Sequence, residues 1–171
     1  MLFKSSLIAV FCIAVTACGF QPLYGTKDSA NIVADFSDVR VEPIKDRIGQ
    51  LLSNELKHLL NPLSTPINPK YNLITTLTQS TRSLAVKKTA LATRANLLIN
   101  SSHHLVDIQS QQILTYATNS ITVSYNIYSS QYATISAEKD ATKRATKELA
   151  QDIRLQIGIF FKSQNKQSVV Q

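Results

Sequence analysis

The chain predicts an α+β fold, a two-layer sandwich in which a mostly antiparallel four-stranded sheet carries two helices on one face, in the order β-α-β-β-β-α. Three observations predict it. Apolar residues recur every fourth position through Ala133, Ala137, Ala141, Ala145, Leu149, Ile153, Ile157 and Phe161, the period of one helix face. Between Tyr71 and Tyr125 the dominant period is two, as in strands with one buried face. A shorter helical pattern around residues 44–60 separates these strands from a lone strand before it.

The elements follow in order. Residues 19–37 hold Gly19, Pro22, Gly25 and scattered polar groups without periodicity, which suits a tether over residues 18–37. Asp38 to Glu42 reads as a short strand opening a domain over residues 38–161. After Pro43, Ile44, Ile48, Leu51, Leu52, Leu59 and Leu60 form a broad apolar helix face, ended by Asn61-Pro62. Pro66 and Pro69 continue that break as a loop. Tyr71 to Gln79 alternates Tyr71, Leu73 and Leu77 against Asn72, Thr76 and Thr78, imperfectly because Ile74 sits on the second face. Arg94 to Ile108 is the next long strand. In the last, Ile113, Ala117, Ile121, Val123 and Tyr125 share one parity, and Tyr116, Thr118, Ser120, Thr122 and Ser124 the other. A turn near Asn126 to Ser130 leads into the alanine-striped helix, whose small residues let it lie close to the sheet. Residues 162–171 are polar without a stripe and read as a flexible tail. The sheet's second face, rich in hydroxyls, suits either plain solvent exposure or a partner surface.

The first residues carry a different signal. Lys4 precedes an apolar run from Leu7 to Val15 that is too short to span a bilayer, so residues 1–17 read as a cleaved export signal. Val15-Thr16-Ala17-Cys18 resembles the bacterial lipobox, which places a lipid on Cys18 and starts the mature chain there. The alternative is an ordinary exported protein cut near Ala17 that leaves Cys18 as a free thiol. Cys12 leaves with the signal, so an unacylated Cys18 has no disulfide partner within the monomer. Acyl chains contribute about 0.8 kcal/mol per buried methylene, enough for several together to anchor a polar protein on a membrane surface.

The 171-residue chain carries a formal charge of +7, which export directs toward anionic envelope components, lipid phosphates among them, and away from nucleic acid. Distribution says more than the sum. No acidic residue lies between Glu55 and Asp107, and none of Asp, Glu, Lys or Arg occurs from Ile108 to Ala137, which suggests burial of that stretch against another surface. Arg82, Lys87, Lys88 and Arg94 surround the connection between the first two long strands, where a hairpin tip displays them together. Leu84, Ala85, Val86, Ala90 and Leu91 interleave with them, so the tip offers apolar contact beside cations, as an amphipathic glycolipid requires. The alternative is a solubilising loop whose charges point apart.

Catalytic machinery is not expected. His103 and His104 are adjacent on a strand and point to opposite faces, so they do not share a metal ion. His103 and Asp107 share a face but lie about 13 Å apart at strand rise. His58 reads as a helix-flank residue. The chain holds no nucleophile elbow, phosphate-binding glycine loop or metalloprotease helix, so neither a catalytic set nor a metal or cofactor site is expected beyond the lipid on Cys18.

Several segments, taken in order, resemble a known family. They are Cys18-Gly19-Phe20-Gln21-Pro22-Leu23-Tyr24-Gly25, Ile44-Lys45-Asp46-Arg47, Tyr71-Asn72-Leu73, Thr93-Arg94, Ser124-Tyr125-Asn126, Tyr132-Ala133-Thr134, Ala137-Glu138, Asp140-Ala141 and Arg144-Ala145. Their order and spacing resemble the alphaproteobacterial form of the LptE family of lipopolysaccharide-assembly lipoproteins. The resemblance implies a non-catalytic, lipid-anchored protein of the outer membrane. It implies that the protein plugs the lumen of an LptD-like β-barrel, assists its assembly, and helps deliver lipopolysaccharide to the outer leaflet. It also implies lipopolysaccharide binding through basic surface residues; that these are Arg82, Lys87, Lys88 and Arg94 comes from the charge pattern alone. Gly19, rather than aspartate, after the lipidated cysteine points to the outer membrane by the usual sorting signal. The competing class is a free-standing periplasmic lipid- or peptide-binding lipoprotein.

Overall fold

The computed structural model describes residues 34–86 and 92–168. The signal segment, Cys18, Lys87 and Lys88 lie outside the described residues.

A helical turn over residues 34–37 leads into β1 (Val39–Val41), followed by α1 (Asp46–Leu60), β2 (Tyr71–Val86), β3 (Ala92–Asp107), β4 (Ile113–Asn126) and α2 (Gln131–Ser168). The four strands form one sheet in the order β1-β2-β3-β4. β2, β3 and β4 are antiparallel neighbours, whereas β1 lies parallel to β2, with Val39 opposite Tyr71 and Val41 opposite Leu73. The sheet is therefore mixed. The reason is topological: α1 carries the chain back past β1 before β2 begins, and a strand-helix-strand unit pairs its strands in parallel. Residues 34–37, which sequence assigns to the tether, bury Phe36 in the core.

Local chemistry sets the helix ends. α1 follows Pro43 and stops where the Asn61 N–H donates to the Lys57 carbonyl, with Pro62 unable to continue. Its buried stripe is Gly49, Leu52, Ser53, Leu56 and Leu60. Leu51, Ile48 and Leu59, which sequence places on the apolar face, are only half-buried at its margins. α2 opens at Ser130, whose Oγ accepts from the Ala133 N–H at 3.4 Å and whose carbonyl takes the Thr134 N–H at 3.1 Å. It runs on through Ser168, where sequence predicts a flexible tail from residue 162, and Asn165 Nδ2 donates to Asp35 Oδ2.

The core lies between the sheet and both helices. Odd-numbered strand residues supply one wall, among them Leu73, Leu97, Ile99, Leu105, Ile121, Val123 and Tyr125. Leu52, Leu56, Ala141, Ala145, Leu149, Ile153 and Ile157 supply the other. The alanines let α2 approach closely, as their spacing predicts. At the end near β1, Phe161 meets the rings of Phe36 and Tyr71 at centroid distances of 6.0 and 5.2 Å. Beneath α2 the wall turns polar. His103 is 2% exposed, and neither its Nδ1 nor the nearby Thr75 and Ser101 hydroxyls have a hydrogen-bond partner among the described residues.

Candidate functional site: the open face of the sheet

Because both helices pack on one side, the even-numbered residues of β2 up to Arg82, of β3 from Arg94 and of β4 from Tyr116 look away from the core. At the start of β4 an irregularity in the pairing reverses the alternation, so Leu114 packs against the core and Ile113 is exposed. The open face carries Asn72, Thr76, Thr78, Ser80 and Arg82 on β2. Across it stand Arg94, Asn96, Asn100, Ser102 and His104 on β3, and Thr118, Ser120, Thr122 and Ser124 on β4. No carboxylate appears among the even positions of 72–82, 94–106 or 116–126. Cross-strand hydrogen bonds knit this ladder: the Thr76 and Ser102 hydroxyls meet at 2.7 Å, and Ser124 Oγ donates to Asn96 Oδ1 at 2.6 Å. These bonds tie Thr76, Ser102 and Ser124 to their neighbours across the sheet, and the hydroxyl and amide groups of this face, unlike Arg82 and Arg94, are uncharged.

The register brings two of the expected basic residues together. Arg82 pairs with Asn96, and Arg94 lies two positions before Asn96 on β3, so the guanidinium groups leave diagonal positions of one face. By strand geometry their Cα atoms stand about 7–8 Å apart. Both residues are exposed, and neither joins an ion pair among the described residues. Two guanidiniums at that spacing have the hydrogen-bond donors and charge that phosphate or carboxylate oxygens accept. The same end of the sheet exposes apolar groups. Leu84 is 51% exposed near the end of β2, and Tyr128 and Tyr132 follow β4, tied to this end by the Ile127 N–H donating to the Thr93 carbonyl. Arg82 and Arg94 thus share one end of the sheet with exposed leucine and tyrosine, while the rest of the expected tip, Lys87 to Leu91, lies outside the described residues.

The charge-free stretch from Ile108 to Ala137 divides in two. Ile121, Val123 and Tyr125 turn into the molecule's own core, with Leu114, Ile127 and Ala137 packed against it. Another group stays outside: Ile113, Tyr116, Tyr128, Tyr132 and Ile135 are all exposed. β4 is also the last strand of the sheet, so among the described residues its outer row of backbone N–H and C=O groups has no strand beside it. His103 and His104 take opposite faces, and His58 is exposed on α1. Tertiary packing gathers Arg47, Lys139 and Lys143, to which the sequence assigns no site, beside a cleft between the helices. Their sequence signal was a lysine at every fourth position of α2, from Lys139 through Lys147.

Comparison with known proteins bears on this arrangement. A model of the LptE family, described as lipopolysaccharide-assembly, matches residues 36–157. An uncharacterized protein, RP188, from Rickettsia prowazekii (strain Madrid E) is 26% identical over 154 residues, covering 90% of this chain and 95% of its own. Among solved structures, a putative lipoprotein from Caulobacter crescentus CB15 superposes with a TM-score of 0.64 at 22% identity, covering 78% of this chain and 97% of that one. A minor lipoprotein from Acinetobacter baumannii gives a TM-score of 0.53 at 19% identity, covering 71% and 91%. Rare lipoprotein B from Shewanella oneidensis gives 0.51 at 10% identity, covering 77% and 94%. At these identities the structural likeness shows a shared fold.

Proposed function

The chain belongs to the LptE lipopolysaccharide-assembly family, and on that footing we propose that it is an outer-membrane lipoprotein, anchored through a lipid on Cys18, that plugs an LptD-like β-barrel and helps pass lipopolysaccharide to the outer leaflet. The observation that carries this reading is the open sheet face. A protein seated in a barrel lumen needs a surface free of unpaired carboxylates but rich in hydrogen-bonding groups, because the interior walls of large outer-membrane barrels are polar. The Ser/Thr/Asn ladder across β2, β3 and β4 supplies such a surface. The exposed residues of the charge-free stretch extend it around the β4 edge.

Arg82 and Arg94 then take the phosphates of the glycolipid, and Lys87 and Lys88, adjacent in sequence and outside the described residues, are the further candidate contacts. Leu84, Tyr128 and Tyr132 offer apolar area beside it. The work is recognition and placement, without bond making or breaking.

Co-purification tests the partner. The full-length protein carrying a C-terminal tag is solubilised from the envelope in mild detergent, and recovery of a large β-barrel protein in equal amount is expected. Membrane-bound protein recovered without a barrel would overturn the plug reading and favour the free-standing lipid or peptide carrier. Reversing Arg82 and Arg94 to glutamate tests the ligand: lipopolysaccharide binding is expected to fall about tenfold or more, while the barrel remains bound. Unchanged binding would reduce the arginines to a solubility feature.

A further inference from the structure

The helical side of the molecule carries a second cationic site that the reading above does not use. Where α1 begins, it covers only part of the sheet, and a cleft of about 420 Å³ opens between its first turns, α2 and Gln79 of β2. Its floor is apolar, made of Ile48, Leu51 and Ile135; the first two are half-buried and Ile135 is 42% exposed. Its rim carries three cations, Arg47 from α1 and Lys139 and Lys143 from α2, against one carboxylate, Glu138. Lys147 extends the row in the adjoining groove, beside Glu55 and Arg144. Among the described residues, the ion pairs are Arg40–Glu42, Lys70–Asp38 and Arg144–Asp140, so none engages Arg47, Lys139, Lys143 or Lys147.

The pattern runs against helix economy. Lysines four residues apart on one helix face repel one another, and a glutamate at either position would relieve the repulsion. The net charge of the cleft lining, two positive, stands beside the apolar surface of Ile48, Leu51 and Ile135. A cleft of several hundred Å³ with apolar walls and a few converging charges has the dimensions of a small-ligand site. Simple phosphate would leave the floor unused, and a neutral lipid would leave the rim unused.

We propose that this cleft binds a phosphate-bearing amphiphile, its acyl portion on Ile48, Leu51 and Ile135 and its phosphate between Arg47, Lys139 and Lys143. The site lies on the opposite side of the sheet from Arg82 and Arg94, so the protein holds an anion site on each face. It does not depend on the barrel partner.

Photo-crosslinking tests it on the full-length protein in neutral detergent micelles. A benzophenone amino acid replaces Ile135 in one variant and Leu155, exposed further along α2, in another. Tagged phosphatidylglycerol and phosphatidylcholine with identical chains are the probes, with inorganic phosphate as competitor. The expected result is capture of phosphatidylglycerol at position 135, about tenfold above phosphatidylcholine and above position 155, lost in Lys139→Glu/Lys143→Glu and retained in Arg82→Glu/Arg94→Glu. Equal capture of the two lipids, or capture that survives the lysine reversals, would overturn the proposal. Displacement of the lipid by an equal concentration of inorganic phosphate would also overturn it, by showing a bare phosphate site. Loss of capture in the arginine variant alone would assign the lipid to the open face instead.

Discussion

Acidification should unfasten α2 from the sheet through one residue. His103 stands on the core face of β3, opposite Thr75 of β2 and Ala117 of β4, at 2% exposure and with no partner for Nδ1. Burial disfavours the imidazolium and lowers the ring's pKa from 6.5 to about 4; Gln156 of α2 offsets part of that shift, and the neighbouring His104 adds slightly to it. The folded protein thus keeps His103 neutral, while the unfolded chain protonates it near 6.5. Between those values the unfolded state binds more protons, so stability rises with pH across the window, is complete above 6.5, and is lost as pH falls toward 4. A shift of that size is worth about 3 kcal/mol at pH 4, a large share of the roughly 5–15 kcal/mol that holds a domain folded.

The assay is urea unfolding followed by far-UV circular dichroism, which reports α2 directly and suits a chain without tryptophan. Wild type and His103→Gln are compared at steps from pH 7.5 to 4. Carboxylates contribute to both proteins equally. Asp107, held below its ordinary range by the Ser110 N–H and hydroxyl, is one of them. The difference between the two profiles therefore isolates the imidazole, and about 3 kcal/mol of excess acid sensitivity is expected in wild type. Parallel profiles would refute the reasoning, as would an imidazole that titrates near 6.5 in the native protein by proton NMR.

Three further outcomes follow from the packing. Gly49→Ala should destabilise by about 1–3 kcal/mol although alanine is the better helix former, because a Cβ there would stand 2.7 Å from Ile44 Cγ2 and 2.8 Å from the Ile44 carbonyl group; a rise in melting temperature would contradict the contact. Leu56→Ala should cost about 2–5 kcal/mol and Leu51→Ala much less, since the first side chain is fully buried and the second only half-buried; equal costs in chemical denaturation would restore the broader apolar face that sequence predicts. Thr75→Val should stabilise by about 1 kcal/mol, since Thr75 Oγ1 is buried without a hydrogen-bond partner and valine has nearly its shape; a loss of stability would show that the hydroxyl is paired in solution.

What the sequence made legible was whatever a single element encodes in its own period. The alanine stripe of α2 and the alternation of β4 from Tyr116 to Tyr125 each specify a face without reference to any partner. At the start of β4 the pairing irregularity turns Leu114 toward the core and leaves Ile113 exposed, against the predicted parity. α1 was less legible because Leu51-Leu52 and Leu59-Leu60 offer apolar side chains on adjoining faces. Which leucine of each pair turns inward depends on where α2 lies, and Leu56 was missed for the same reason. The upper part of β2 was invisible as well: Ser80, Thr81, Arg82 and Ser83 are all exposed, so no alternation marks them, and pairing with β3 from Ala95 to Leu98 is what extends the strand. Nor does any local pattern say that β1 joins β2 in parallel.

The two candidate sites divide along the same line. Arg82 and Arg94 could be suspected from charge alone, but only register shows that residues twelve apart share one face, since a slip of one position would send Arg82 toward the helices. The cleft cations were beyond reach because Arg47 and Lys139 come from opposite ends of the chain and meet through helix packing. Their individual sequence environments look like those of any solvated helix surface. Five of the cations, Arg82 and Arg94 on the open face and Arg47, Lys139 and Lys143 at the cleft, therefore stand as two groups on opposite sides of the sheet. That separation makes the paired reversals, Arg82 with Arg94 and Lys139 with Lys143, independent perturbations of one molecule.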